Sequence, residues 1–138
     1  MKRNKFELEA ENKIESLPVI GDFIAASLSQ LNIRPPIGRH VQLAVDEACT
    51  NVIHYAYEGT GIIRITVELA SGELIVTVDD QGKPFNPLEV PPPDLDSGAE
   101  DRPIGGLGIH LIKNLMNQVS YSYDVASGNR LTMKKRVV

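Results

Sequence analysis

Apolar residues recur in this chain with two periods, and the changes of period divide it into elements. Residues 5–10 alternate, with Phe6, Leu8 and Ala10 set against charged neighbours, and predict a first strand. Leu17, Ile20, Ile24, Leu28 and Leu31 fall at helical spacing and predict a helix near 16–31, which Arg34-Pro35-Pro36 ends. Val41, Ala44, Val45, Ala48, Cys49, Val52, Ile53 and Ala56 repeat at three and four residues, so a second helix is predicted over about 37–57, with one apolar stripe. Glu58-Gly59-Thr60-Gly61 stops it. Alternation then returns. Ile63, Ile65, Val67 and Leu69 form one strand, Leu74, Val76 and Val78 another, and Ala70-Ser71-Gly72 is the turn of an antiparallel hairpin.

Neither period survives over about 83–104, where six prolines mix with Asp94, Asp96, Glu100 and Asp101. A loop of that length inside a compact domain is functional or disordered. Gly105-Gly106-Leu107-Gly108 then opens a helix near 107–118, and strands near 119–125 and 129–137 join at Ser127-Gly128-Asn129. This order predicts an α+β fold, a two-layer sandwich with helices on one face of a mixed, mostly antiparallel sheet. At 138 residues the chain fits one domain, spanning 1–138.

Composition narrows the function. The chain is 42% hydrophobic and 23% charged, which suits a soluble globular protein. A net charge of −4 argues against a general nucleic-acid surface. The basic run Lys134-Lys135-Arg136 reads as a solvated strand end. The one cysteine, Cys49, permits no internal disulfide and lies among apolar residues, so it reads as packing. No apolar run is long enough to span a membrane, and the basic start Met1-Lys2-Arg3-Asn4-Lys5 leads into no apolar segment of a signal peptide. A cytoplasmic protein is expected.

Three constellations carry chemistry. Glu47 and Asn51 stand four residues apart on the second helix, hence on one face, and at 100° per residue they fall beside the apolar stripe. His54 and Glu58 extend that polar strip. A carboxylate beside an amide carbonyl suits magnesium, which takes hard oxygen ligands. A solvated helix face has the same pattern. Asp80-Gln81-Gly82 ends the hairpin, and Asp80 shares the parity of Leu74, Val76 and Val78, so its carboxylate points toward the core. Buried there it needs donors. The exocyclic amine of adenine is one, and guanine has no amine at that position. Gly82 lets the backbone approach a flat ring. A turn aspartate satisfied by local backbone is the other reading. Gly105-Gly106-Leu107-Gly108 before a helix offers free N–H groups to phosphates, with His110 and Lys113 nearby and equally suited to solvent. A Gly-x-x-x-x-Gly-Lys-[Ser/Thr] loop is absent, as are the Gly-rich strand loop and the His-Arg-Asp sequence of ordinary protein kinases.

In this order and context the motifs resemble those of the GHKL (Bergerat-fold) ATPases. Within that superfamily the chain is similar to the bacterial anti-sigma factor serine kinases. The resemblance runs from about Leu17 to Met133. It rests on Leu43-Ala44-Val45-Asp46-Glu47-Ala48-Cys49-Thr50-Asn51, on Val78-Asp79-Asp80-Gln81-Gly82-Lys83-Pro84-Phe85, and on Gly105-Gly106-Leu107-Gly108-Ile109. Pro84-Phe85-Asn86-Pro87 and the short length favour the serine-kinase branch.

The resemblance implies that Glu47 is the general base, that Asn51 ligates Mg²⁺, and that Asp80 binds the adenine amine of ATP with Gly82 in the same pocket. Residues about 86–104 would be the ATP lid, with Arg102 a γ-phosphate contact. Gly105, Gly106, Leu107 and Gly108 would form the phosphate turn, Gly106 and Gly108 cradling the phosphates. Thr132 would assist the adenine site through a water. Two positions depart from the pattern: Tyr55 stands where many relatives carry His, and Asn86 where Asp is common. The implied partners are a STAS-type anti-anti-sigma protein as phosphoacceptor, a sigma factor, and a second copy in a homodimer. Two other functions fit the same pocket: a nucleotide-gated module that sequesters a partner without phosphotransfer, and a stand-alone histidine kinase catalytic domain.

Overall fold

The computed structural model describes residues 4–56, 61–89 and 112–137. Five strands form one sheet: β1 (Lys5–Glu11), β2 (Ile62–Ala70), β3 (Glu73–Asp80), β4 (Gln118–Asp124) and β5 (Gly128–Arg136). Their spatial order is β1-β2-β3-β5-β4. All four pairings are antiparallel. The α+β sandwich expected from the sequence is what forms, with no parallel pair among the described strands.

Helices α1 (Leu17–Gln30) and α2 (Pro35–Asn51) pack on one face of the sheet. Residues 112–115, also helical, bring Ile112 and Met116 into the same core. α1 ends where Asn32 takes φ 58, and the Ile33 N–H donates back to the Leu28 carbonyl. That left-handed residue with a back-bonded N–H is a Schellman-type stop. The two prolines do not end the segment, as the sequence suggested; they open α2. Proline at a first helical position loses no intrahelical bond and has its φ already set.

The α2 stripe is buried as its spacing requires: Val41, Ala44, Val45, Ala48 and Cys49 face the sheet. Burial pushes the Cys49 thiol up to about 12, which leaves it an inert packing group. On the sheet side Ile63, Ile65, Val67, Leu74, Val76, Val78, Leu131 and Met133 complete the core. Truncating one of these large side chains, such as Ile65→Ala, would cost about 2–5 kcal/mol.

The helical wheel fails at one place. After Asn51 the backbone widens into a π-helical turn, Val52–Ala56. Isolated π turns inside helices are rare and gather at functional sites. This one changes the direction in which Ile53, His54 and Tyr55 project, so the predicted α-helix to residue 57 stops short.

At the β2–β3 turn Ser71 and Gly72 take φ 52 and 76, the pair of left-handed residues that a two-residue hairpin loop demands. This turn fixes the register, in which Val78 faces Ile65 and Asp80 faces Ile63. The opposite face of the sheet is polar. There Arg64 pairs with Glu9 at 2.7 Å, and Arg130 clasps both oxygens of Asp79 at 2.7 and 2.9 Å.

Candidate functional site

The site lies where α2 crosses the ends of β3 and β5. Strand parity puts adjacent acids on opposite faces: Asp79 turns outward to Arg130, and Asp80 turns inward at 4% exposure. The inward direction read from the alternation of Leu74, Val76 and Val78 is the one observed.

Asp80 is held by one oxygen. Its Oδ1 accepts the Gly82 N–H at 2.9 Å and the Asn129 amide at 2.9 Å. Among the described residues none donates to Oδ2. Burial raises the carboxyl above its ordinary range, while the bonds from Asn129 and Gly82 pull it back down. A buried carboxylate with one satisfied oxygen and one open oxygen has acceptor capacity for a ligand's donor.

Asn129, which no sequence motif marks as a site residue, is 4% exposed and joins more of the site than any residue the motifs mark. Its Nδ2 donates to Asp80 Oδ1 and to the Lys83 carbonyl at 2.9 Å. Its Oδ1 accepts the Phe85 N–H at 3.1 Å and the Tyr121 hydroxyl. The parity of Asn129, Leu131 and Met133 carries the signal that it faces inward, but its partner depends on the β3–β5 register, which pairs it with Asp80.

That register also corrects Thr132. It pairs with Thr77 and Ser120, on the face that carries Arg130 and Asp79, away from Asp80. Three residues along a strand reverse the side, and Thr132 therefore has no access to the cavity beside Asp80.

Across the cavity stands Asn51, 2% exposed, with Oδ1 and Nδ2 both lacking a hydrogen-bond partner. The position beside the stripe expected from the wheel is in fact within the buried face. An amide buried without partners costs about 1–3 kcal/mol, and such groups call for a missing ligand or ion. No cluster of three or more His, Cys, Asp or Glu among the described residues can hold a metal. A metal here would draw most of its ligands from phosphate and water, as Mg²⁺ does with nucleotides. The orphaned amide oxygen fits that ion.

Glu47 lies one turn earlier on α2 and is half-buried. Its carboxyl is raised, first by burial and then by the adjacent Asp46. His54 is exposed, and Lys113 lies at the surface with Nζ 3.5 Å from the Leu88 carbonyl. Arg102, Gly105, Gly106, Leu107, Gly108 and His110 lie outside the described residues, as does the proposed lid beyond Glu89.

Ala48, Asn51, Val78, Asp80, Phe85, Tyr121, Asn129 and Leu131 surround a cavity of about 20 Å³, room for about one water. A larger groove of about 480 Å³ runs between α1 and α2, but it holds no buried polar group and lies off this site.

A family model described as the histidine kinase-like ATPase domain matches residues 10–135. A serine-protein kinase RsbW of Bacillus mycoides (strain KBAB4) is 30% identical over 128 residues, covering 89% of this chain and 80% of that protein. An anti-sigma F factor of Clostridium botulinum (strain Alaska E43 / Type E3) is 30% identical over 138 residues, covering 99% of this chain and 96% of that one. A crystal structure of the RsbU and RsbW domains of a Mycobacterium tuberculosis protein superposes with a TM-score of 0.72 at 14% identity, over 98% of this chain and 33% of that longer one, and shows the same fold. No described helix is long and apolar enough to cross a membrane. With an inward carboxylate and an orphaned amide across one cavity, and with relatives that match nearly end to end, the chain belongs to the histidine kinase-like ATPase domain family, in its group of serine-protein kinases and anti-sigma factors.

Proposed function

We propose that this protein transfers the γ-phosphoryl group of ATP to a serine of a STAS-type anti-anti-sigma partner, and that as a cytoplasmic homodimer it holds a sigma factor. One observation carries the reading: Asp80 offers an open carboxylate oxygen on one side of a cavity, and Asn51 offers an unpaired amide on the other. The first suits the exocyclic amine of adenine, where guanine has a carbonyl. The second suits the Mg²⁺ that accompanies the phosphates.

Each residue then has a task. Asp80 Oδ2 accepts from the amine, and Gly82 keeps Oδ1 pinned. Asn51 Oδ1 ligates Mg²⁺, which when bound neutralises phosphate charge. Glu47 orients the partner's serine hydroxyl and takes its proton as the bond between the γ-phosphorus and the bridging oxygen of ADP breaks. Arg102 contacts the γ-phosphate, and the N–H groups of Gly105, Gly106, Leu107 and Gly108 cradle the phosphates. Residues about 86–104 close over the nucleotide.

Incubation with Mg-ATP and a STAS-type acceptor is expected to give phosphoserine on the acceptor. Glu47→Gln is expected to lower that rate by at least about 10²-fold while ATP still binds. Wild-type transfer in this variant removes Glu47 as the base. A stable complex without phosphoserine would instead identify a nucleotide-gated sequestering module.

A further inference from the structure

One carboxamide ties together the end of β3, the root of the following loop and β4. Asn129 Nδ2 reaches Asp80 Oδ1 and the Lys83 carbonyl, while Oδ1 takes the Phe85 N–H and the Tyr121 hydroxyl. The neighbouring turn is built for this approach. Gly128 has φ +81, and a Cβ there would stand 2.2 Å from the Asp80 carbonyl oxygen. No other residue type lets β5 start so close to Asp80 without displacing it.

We infer that Asn129 is a positioning residue for purine discrimination: it locks the Asp80 carboxylate so that Oδ2 alone faces the ligand, and it sets the 83–85 backbone against the same pocket. The inference rests on the reading of Asp80 as the group that recognises the amine. Without Asn129 the carboxylate would keep one tether, the Gly82 N–H, and could rotate either oxygen toward that donor. The directional bond to an amine would weaken, and contacts that do not use Asp80 would not.

The test compares ATP with purine riboside triphosphate, which differs by lacking the amine. Binding of both is measured by calorimetry to wild type, Asn129→Ala, Asn129→Asp and Asp80→Asn, each checked for folding by thermal melting. Asn129→Ala is expected to weaken ATP about tenfold and purine riboside triphosphate less than about twofold, the loss of one charge-assisted hydrogen bond to Asp80. A structural role alone would weaken both nucleotides alike.

Asn129→Asp adds a pH signature. Two carboxyls at this distance share one proton, and the shared proton can donate to Asp80 Oδ1. ATP affinity in that variant is expected to fall as pH rises from about 6 to 8, while wild type stays flat. The other groups facing the pair are the Tyr121 phenol from β4 and the uncharged Asn51 from α2; Asp79 on the same strand is turned away and clasped by Arg130. Equal loss for both nucleotides in Asn129→Ala, or no loss, overturns the positioning role. Wild-type ATP affinity in Asp80→Asn removes the reading of Asp80, and the inference with it.

Discussion

The ring of Tyr55 stacks on the ring of Phe85, with centroids 5.0 Å apart and planes 13° from parallel. Tyr55 comes from the π-helical turn after α2, and Phe85 lines the cavity beside Asp80. Asn129 holds the Phe85 backbone N–H, and the stack on Tyr55 holds its ring. With the Phe85 ring there, the cavity is only about 20 Å³, so the ring must swing aside for a purine to enter while its backbone stays held by Asn129. Stacked aromatic pairs are worth about 0.5–1.5 kcal/mol, so Tyr55→Ala is expected to speed ATP association by about 2- to 10-fold. Stopped-flow fluorescence with a labelled ATP analogue checks this; an unchanged association rate would show that the stack does not restrain entry.

Burial of the Asp80 carboxyl works against the stability of the fold once the group is ionised. Burial raises its carboxyl above the ordinary 3.8, so the ionised form is disfavoured in the folded chain. Stability from this group is fully present below the ordinary value and is lost as pH rises through the raised one. Asp80→Asn keeps an Oδ1 acceptor for Gly82 and Asn129 without the charge. The nucleotide-free variant is expected to melt about 2–5 °C higher than wild type at pH 7, with the gap closing as pH falls toward about 4, and to bind ATP at least about tenfold more weakly. Paired thermal melts and titrations decide it. A lower melting temperature at pH 7 contradicts the account.

A similar trade applies to Asn51. Its two unpaired amide atoms destabilise the empty fold, and Asn51→Leu removes both at nearly the same volume. The variant is expected to be at least as stable as wild type by urea denaturation. Its phosphotransfer should be lost, and its ATP affinity should no longer rise when Mg²⁺ is added. An unchanged Mg²⁺ dependence would place the ion elsewhere.

Glu47 must be ionised to accept a proton, and burial together with Asp46 raises its carboxyl above the ordinary 4.5. Phosphotransfer is therefore expected to rise with pH along an acid limb above that value. Asp46→Asn removes the like charge and is expected to move the limb to lower pH without loss of the plateau rate. Transfer rates at saturating ATP across the acid range provide the measurement; coincident profiles for the two proteins would show that Glu47 is not the titrating base.

Much of this protein follows from local pattern. Alternation determined which faces of β1, β2 and β3 are buried and that Asp80 points inward, because parity along a strand is set by backbone geometry alone. Threefold and fourfold spacing determined the buried stripe of α2 and the shared face of Glu47 and Asn51. What spans distant strands was decided only by the tertiary structure. The pairing of β3 with β5 chose Asn129 as the partner of Asp80 and turned Thr132 to the other face. The π turn buried nothing that a wheel can show, yet it aimed Tyr55 at Phe85. Side-chain direction is a property of one element, whereas register and crossing are properties of two, and no periodicity within either element records them.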